Sequence, residues 1–144
     1  MNKLTFEEII ERDGRLIYTN KGDSMMPLIK EGRDLLVIEK PDGRLKKFDV
    51  PLYKRDTGQY VMHRIIRVRQ SDYVICGDNR VNKEYGITAR HIIGVLTAVI
   101  RNGNELSVNS AKYKAYVRFW YLLFPVRYII IKMRNFFRKG RREK

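Results

Sequence analysis

A chain of 144 residues falls in the size range of one domain and can bury a core large enough to hold a small site rigidly. Cys76 is the only cysteine, which excludes an internal disulfide and removes any thiol-based reason to place the chain in an oxidising compartment. The formal net charge of +14 is uneven: Lys112 to Lys144 holds 11 Lys or Arg against one acid, Glu143, whereas positions 1–111 hold 19 basic and 15 acidic residues. Such asymmetry belongs to an ordinary domain with a basic tail, and it points to a polyanionic surface, lipid or nucleic acid, as partner.

The first residues, Met1 to Glu8, lack the continuous apolar stretch of a secretory signal or N-terminal anchor, so export of the domain is not expected. Thr5 and Glu8 have the spacing of a capping box, and Phe6, Ile9 and Ile10 would share one face of the short helix behind it. After a turn at Asp13-Gly14 come short segments rich in β-branched and aromatic residues: Arg15 to Thr19, Leu35 to Glu39, Tyr60 to Val68, Tyr73 to Ile75, Ile92 to Ile100 and Glu105 to Val108. Gly22, Gly32, Pro41-Asp42-Gly43, Asp56-Thr57-Gly58, Gly77-Asp78-Asn79 and Asn102-Gly103-Asn104 punctuate them, as tight turns between strands would. Near Ala111 the turn residues stop and a run of aromatics and positive charge begins. The reading is a mainly β domain over 1–110 and a basic, aromatic-rich amphipathic tail over 111–144.

Three segments carry possible chemistry together: Gly22-Asp23-Ser24-Met25-Met26-Pro27, Tyr60-Val61-Met62-His63-Arg64 and Cys76-Gly77-Asp78-Asn79. A serine hydroxyl is a poor nucleophile until a base within hydrogen-bond reach takes its proton, and a neutral imidazole can do so near pH 7. A carboxylate can then hold the imidazole tautomer and stabilise its protonated form. Singly, a Ser in a Gly-rich turn or a His in a strand is more often structural.

Together the segments resemble the signal peptidase I family. Ser24-Met25-Met26-Pro27 looks like the Ser-Met-x-Pro box whose first residue is the nucleophile, and Gly32 to Lys40 resembles the Gly-Asp-x-hydrophobic strand that comes next in that family, with Arg33 inserted or Gly32 shifted. His63-Arg64-Ile65-Ile66 matches the box that carries Lys-Arg in bacterial members and His-Arg in the endoplasmic-reticulum and archaeal type. Gly77-Asp78-Asn79-Arg80 matches the Gly-Asp-Asn box, and Ile92-Ile93-Gly94 the closing Ile-Val-Gly segment. The resemblance spans roughly Gly22 to Leu96. It implies a signal peptidase-like β-barrel or sheet domain and a serine endopeptidase of signal or leader peptides. Ser24 would be nucleophile, His63 general base, Asp78 the residue orienting His63, and the Ser24 N–H an oxyanion donor. Pro27 would hold the turn that presents Ser24, with Met25 and Met26 packing beneath it.

The sequence departs from the family pattern at two further places. Gly22 stands where many bacterial members have a second oxyanion-facing serine, and the segment after Gly-Asp-Asn is shorter, leaving Glu84 as a substitute acid or, the favoured reading, a solvated charge. His91, the other histidine, has no Cys or acid at ligand spacing, and the Gly-Asp-Asn turn lacks the flanking glycines of a phosphate loop; no metal and no cofactor are expected.

Phe119 to Ile131 is apolar except for Arg127, but 13 residues make about 20 Å of helix, too short for a hydrocarbon core of about 30 Å. If a helix restarts after Pro125, Val126, Ile129, Ile130, Met133, Phe136 and Phe137 share one face and Arg127, Arg134, Arg138 and Arg141 the opposite one. That pattern suits an interfacial helix, with Trp120, Tyr121 and Tyr128 at the headgroup boundary and an anionic membrane favoured over nucleic acid as partner; the alternative is an apolar stripe that packs on the domain with its charges solvated. The expectation is peripheral membrane association, the cytoplasmic face favoured, with a peptide or protein substrate and no oligomeric state implied. The competing readings are a repressor-type self-cleaving peptidase, which would use a Lys base behind a helix-turn-helix, and a non-catalytic membrane- or nucleic-acid-binding module on a peptidase scaffold.

Overall fold

The computed structural model describes residues 3–142; Met1, Asn2, Glu143 and Lys144, the last two part of the basic tail, lie outside the described residues. Helix α1 (Phe6–Asp13) opens on the expected capping box, in which the Thr5 hydroxyl accepts from Glu8 N–H and the Glu8 carboxylate accepts from Thr5 N–H. Gly14 closes it in the left-handed conformation at φ 74°, where a side chain would be strained.

Nine strands come after it among the described residues: β1 (Arg15–Tyr18), β2 (Asp34–Glu39), β3 (Pro51–Lys54), β4 (Tyr60–Met62), β5 (Arg64–Val68), β6 (Tyr73–Cys76), β7 (Glu84–Ile87), β8 (Ile92–Arg101) and β9 (Asn104–Ser107). They form a six-stranded antiparallel sheet, β1-β2-β8-β3-β4 with β9 also on β8, and a three-stranded antiparallel sheet, β5-β6-β7. The ten-residue β8 is the spine: it pairs with β2 along one edge and with β3 and then β9 along the other. Gly94 on β8 permits close packing of α1, since a Cβ there would lie 2.5 Å from Ile38 Cγ2 and 3.0 Å from Ile10 Cδ1.

The fold departs from the expectation in two ways. The sheets do not close into a barrel, and helix (29%) nearly equals strand (32%), so the architecture is mixed rather than mainly β. The helix comes from the tail, which folds as α2 (Ala111–Leu122) and α3 (Phe124–Arg142) with a break at Leu123. Pro125 sits in the first turn of α3, where its missing N–H costs no helical bond. The boundary at position 110 also moves. Tyr113 and Val117 of α2 are buried in the main core beside Ile10, Leu36, Ile38, Leu52, Met62 and Leu96, so α2 belongs to the domain.

A second, smaller core of Leu45, Tyr53, Ile65, Tyr73, Ile75 and Ile87 lies under the three-stranded sheet. The chain passes from one sheet to the other at a single residue. Tyr60 to Val68 is not one strand: β4 ends at Met62, β5 begins at Arg64, and His63 lies at the junction outside both ladders.

Candidate active site

The Ser24 segment is a turn held from below, in front and behind. Below it, Met25, Leu28 and Ile29 are buried in the main core, which fixes the backbone while Ser24 stays half-buried. Met26 N–H donates to the Asp23 carbonyl at 3.1 Å and Ile29 N–H to the Met25 carbonyl at 2.9 Å, closing the turn on itself. In front, Asn79 N–H donates to the Ser24 carbonyl at 2.9 Å, the Asn79 amide to the Asp23 carbonyl at 3.1 Å, and Arg80 Nη2 to Asp23 Oδ1 at 2.6 Å.

Behind it stands Asp34, whose carboxylate is fully buried. It accepts from Arg101 Nε at 2.7 Å, from the Arg33 guanidinium and from Lys30 N–H, while Arg101 Nη2 donates to the Leu28 carbonyl at 2.9 Å. Burial opposes that charge, but the bonds from Arg101, Arg33 and the Lys30 amide outweigh it and hold Asp34 well below the usual carboxylate range. Arg33 thus helps tie off the far end of the turn.

His63 meets the Ser24 turn over Gly77. A Cβ at Gly77 would lie 2.7 Å from the Ser24 carbonyl oxygen and 3.2 Å from His63 Cδ2, so the turn and the imidazole edge converge where only a glycine fits. Among the described residues no hydrogen bond joins Ser24 Oγ to His63, and Ser24 N–H donates to no other group. Catalytic hydrogen bonds often tighten only around substrate. Burial, followed by the positive charges of Arg55 and Arg80, depresses His63 from 6.5 to about 4, while Glu84 and then Asp78 act in the opposite sense. The ring is therefore neutral at pH 7.

Asp78 is placed differently from the role implied for it. Its carboxylate makes no hydrogen bond to His63; it is fully buried and forked by Arg64, Nε to Oδ1 at 2.8 Å and Nη2 to Oδ2 at 2.9 Å. The Tyr116 and Tyr121 hydroxyls donate to the same carboxylate at 3.1 and 3.2 Å, Trp120 Nε1 donates to the Asp78 carbonyl at 2.9 Å, and Arg127 Nη1 donates to that carbonyl as well. Trp120 and Tyr121 thus serve the domain interior rather than a headgroup boundary. Arg127, expected on a solvated face, is 6% exposed and stacked against Trp120, Tyr121 and Phe124, its guanidinium carbon 4.6, 5.1 and 5.0 Å from their ring centroids. Its Nε and Nη2 have no hydrogen-bond acceptor, and the three aromatic faces supply the compensating attraction.

Glu84 is not the solvated charge expected. It is three-quarters buried, accepting from Tyr53 Oη at 2.6 Å and from Arg55 Nε at 2.8 Å. Burial would raise its pKa, but the Arg55 and Tyr53 bonds bring it below the ordinary glutamate value. The histidine that does meet a carboxylate is His91, whose Nε2 lies 3.1 Å from Asp56 Oδ1 while Nδ1 accepts from Thr88 N–H. That pairing fastens the 3-10 turn Ala89–His91 ahead of β8. Burial pushes the Cys76 thiol up to about 11, so it remains a protonated core group.

Sequence reasoning misses the partners of Asp78 on α2 and α3, although their signal is present. Tyr113, Tyr116, Val117, Trp120, Tyr121 and Phe124 recur at helical spacing, the mark of a face turned to a core. Comparison of the chain with protein-family models, curated proteins and solved structures returned no match.

Proposed function

We propose that the chain is a serine endopeptidase acting through Ser24 and His63. The observation that carries this reading is the convergence on Gly77: a nucleophile-bearing turn and the edge of a neutral, part-buried imidazole close on one position too tight for a Cβ. In the reaction Ser24 Oγ attacks the scissile carbonyl carbon as its proton passes to His63, and the carbonyl π electrons move to oxygen, facing the free Ser24 N–H. Collapse breaks the C–N bond, the leaving amine takes the proton from His63, and the acyl group stays on Ser24. Water, deprotonated by His63, then releases the acid and restores the serine.

In this reading Asp78 is a positioning residue: through Asn79 it holds the Ser24 carbonyl, and the charges that tune His63 are chiefly Arg55 and Glu84. The resemblance to signal peptidase I suggests signal or leader peptides as the substrate class. The test is labelling by a serine-reactive phosphonate probe. Wild type should label, whereas Ser24→Ala and His63→Ala should each lose labelling without loss of fold, because nucleophile and base act as a unit. Equal labelling of wild type and Ser24→Ala would refute the assignment.

A further inference from the structure

The outer face of α3 is apolar and unpartnered. Val126, Ile129, Ile130 and Met133 are each more than half exposed, and Phe136 and Phe137 are 74% and 63% exposed. The neighbouring Leu122 at the end of α2, 78% exposed, extends the row. An apolar strip this continuous marks an interaction surface.

The roll of the helix is fixed by its inner face. Arg127 is clasped by the aromatics of α2 and by the Asp78 carbonyl, and Ile131, one turn on, is the last buried residue of the chain's described part. From Lys132 to Arg141 every described residue is exposed, so the second half of α3 has nothing packed on its apolar side.

At 3.6 residues per turn, Arg134 and Arg141 border the strip on one side and Lys132 and Lys139 on the other. The helix contains no acid over its whole length. Cations on both borders of an apolar strip can reach headgroup phosphates while the strip enters the acyl boundary. No helix among the described residues is long and apolar enough to cross a membrane. We infer that α3 lies flat on an anionic lipid bilayer, apolar strip inward and flanking Lys and Arg on the phosphates. Arg134 Nη2, on the border of the strip, also reaches Asn79 Oδ1, the residue holding the Ser24 turn.

The test needs no peptidase activity and uses the full chain, sedimented with phosphatidylcholine vesicles prepared with or without phosphatidylglycerol. Sedimentation should require phosphatidylglycerol and fall in high salt. Ile130→Asp combined with Phe137→Asp, at exposed positions, should weaken it about tenfold or more at unchanged thermal stability. Lys132→Glu combined with Lys139→Glu, which leaves the apolar strip intact, should weaken it about tenfold on anionic vesicles. Three results would overturn the inference: a wild-type chain that ignores anionic vesicles; variants that bind as wild type does; or a chain that ignores vesicles but forms a dimer that Ile130→Asp/Phe137→Asp dissolves, which would assign the strip to a second copy.

Discussion

The electrostatics of His63 set a pH dependence that can be read directly from the ring. The drop from 6.5 to about 4 amounts to about 3 kcal/mol against protonating the imidazole in place, with burial its largest cause and Arg55 the next. In the proposed reaction the neutral form is the proton acceptor, so kcat/KM or the probe-labelling rate should rise through about pH 4 and stay level from about 5 to 8 on the acid side. Arg55→Gln removes a repelling cation and also frees Glu84 to attract the imidazolium; both effects favour the charged ring. A part-buried charge at this range contributes on the order of 1 kcal/mol, so the midpoint should climb by about one pH unit. Glu84→Gln should shift it the other way. The assay is an NMR titration of the chain's two imidazoles, with His91→Gln assigning the His63 signal. A His63 midpoint near 6.5, or a downward move in Arg55→Gln, would refute this account of the site.

The same depressed value has a stability consequence. Between pH 6.5 and 4 the unfolded chain binds a proton at His63 that the fold does not, so stability should fall with pH across that window by up to about 3 kcal/mol; His63→Gln should flatten the loss measured by urea unfolding at about pH 7 and pH 4.5. Gly77→Ala should drive a Cβ to 2.7 Å from the Ser24 carbonyl and displace the turn, lowering probe labelling by about a hundredfold with the two cores retained, as judged by circular dichroism. Asp78→Ala should leave the fully buried Arg64 without its counter-charge and cost about 3–5 kcal/mol in denaturant unfolding; a loss under about 1 kcal/mol would mean that water reaches Arg64. Ending the chain after Ile131 should preserve the fold and the thermal midpoint, whereas ending it before Tyr113 should unfold it, since Tyr113 and Val117 lie in the main core.

Much of the local structure is legible from the residues themselves. The capping box at Thr5 and Glu8 and the β-branched and aromatic segments of β1, β2, β6 and β8 depend on neighbours in sequence, and they appear where expected, whereas Pro41-Asp42-Gly43 opens a long connection between β2 and β3 rather than a tight turn. Strand β3 is hidden because Pro51 opens it and Lys54-Arg55 closes it, leaving an apolar run of a few residues. Strand β7 is hidden by Gly86, at φ 78°. The site is legible as residue types but not as contacts. Nothing local to Gly-Asp-Asn indicates that Arg64, two tyrosines and a tryptophan would occupy Asp78, because those partners lie up to 43 residues away. The sequence pattern puts Trp120 and Tyr121 at an outer surface together with Phe136 and Phe137; the fold divides them, Trp120 and Tyr121 inward and Phe136 and Phe137 outward.

The cost of burying charge in this domain falls largely around one turn. A fully buried pair such as Arg64–Asp78 gains little net stability over an apolar replacement, because desolvation offsets the attraction. What such a pair does impose is geometry. Asp78 is bonded from β5, α2 and α3 at once, which leaves Asn79 a single position from which its N–H meets the Ser24 carbonyl. At the other end, Asp34 is bonded from Arg33, Arg101 and the Lys30 amide, and Arg101 passes that constraint to the Leu28 carbonyl. Two separate buried carboxylates thus fix the two ends of the turn from Ser24 to Leu28, whose middle is already anchored by Met25. A turn that merely joined β1 to β2 would need neither clamp, so both clamps make physical sense if the position of Ser24 relative to His63 is what the fold must hold constant.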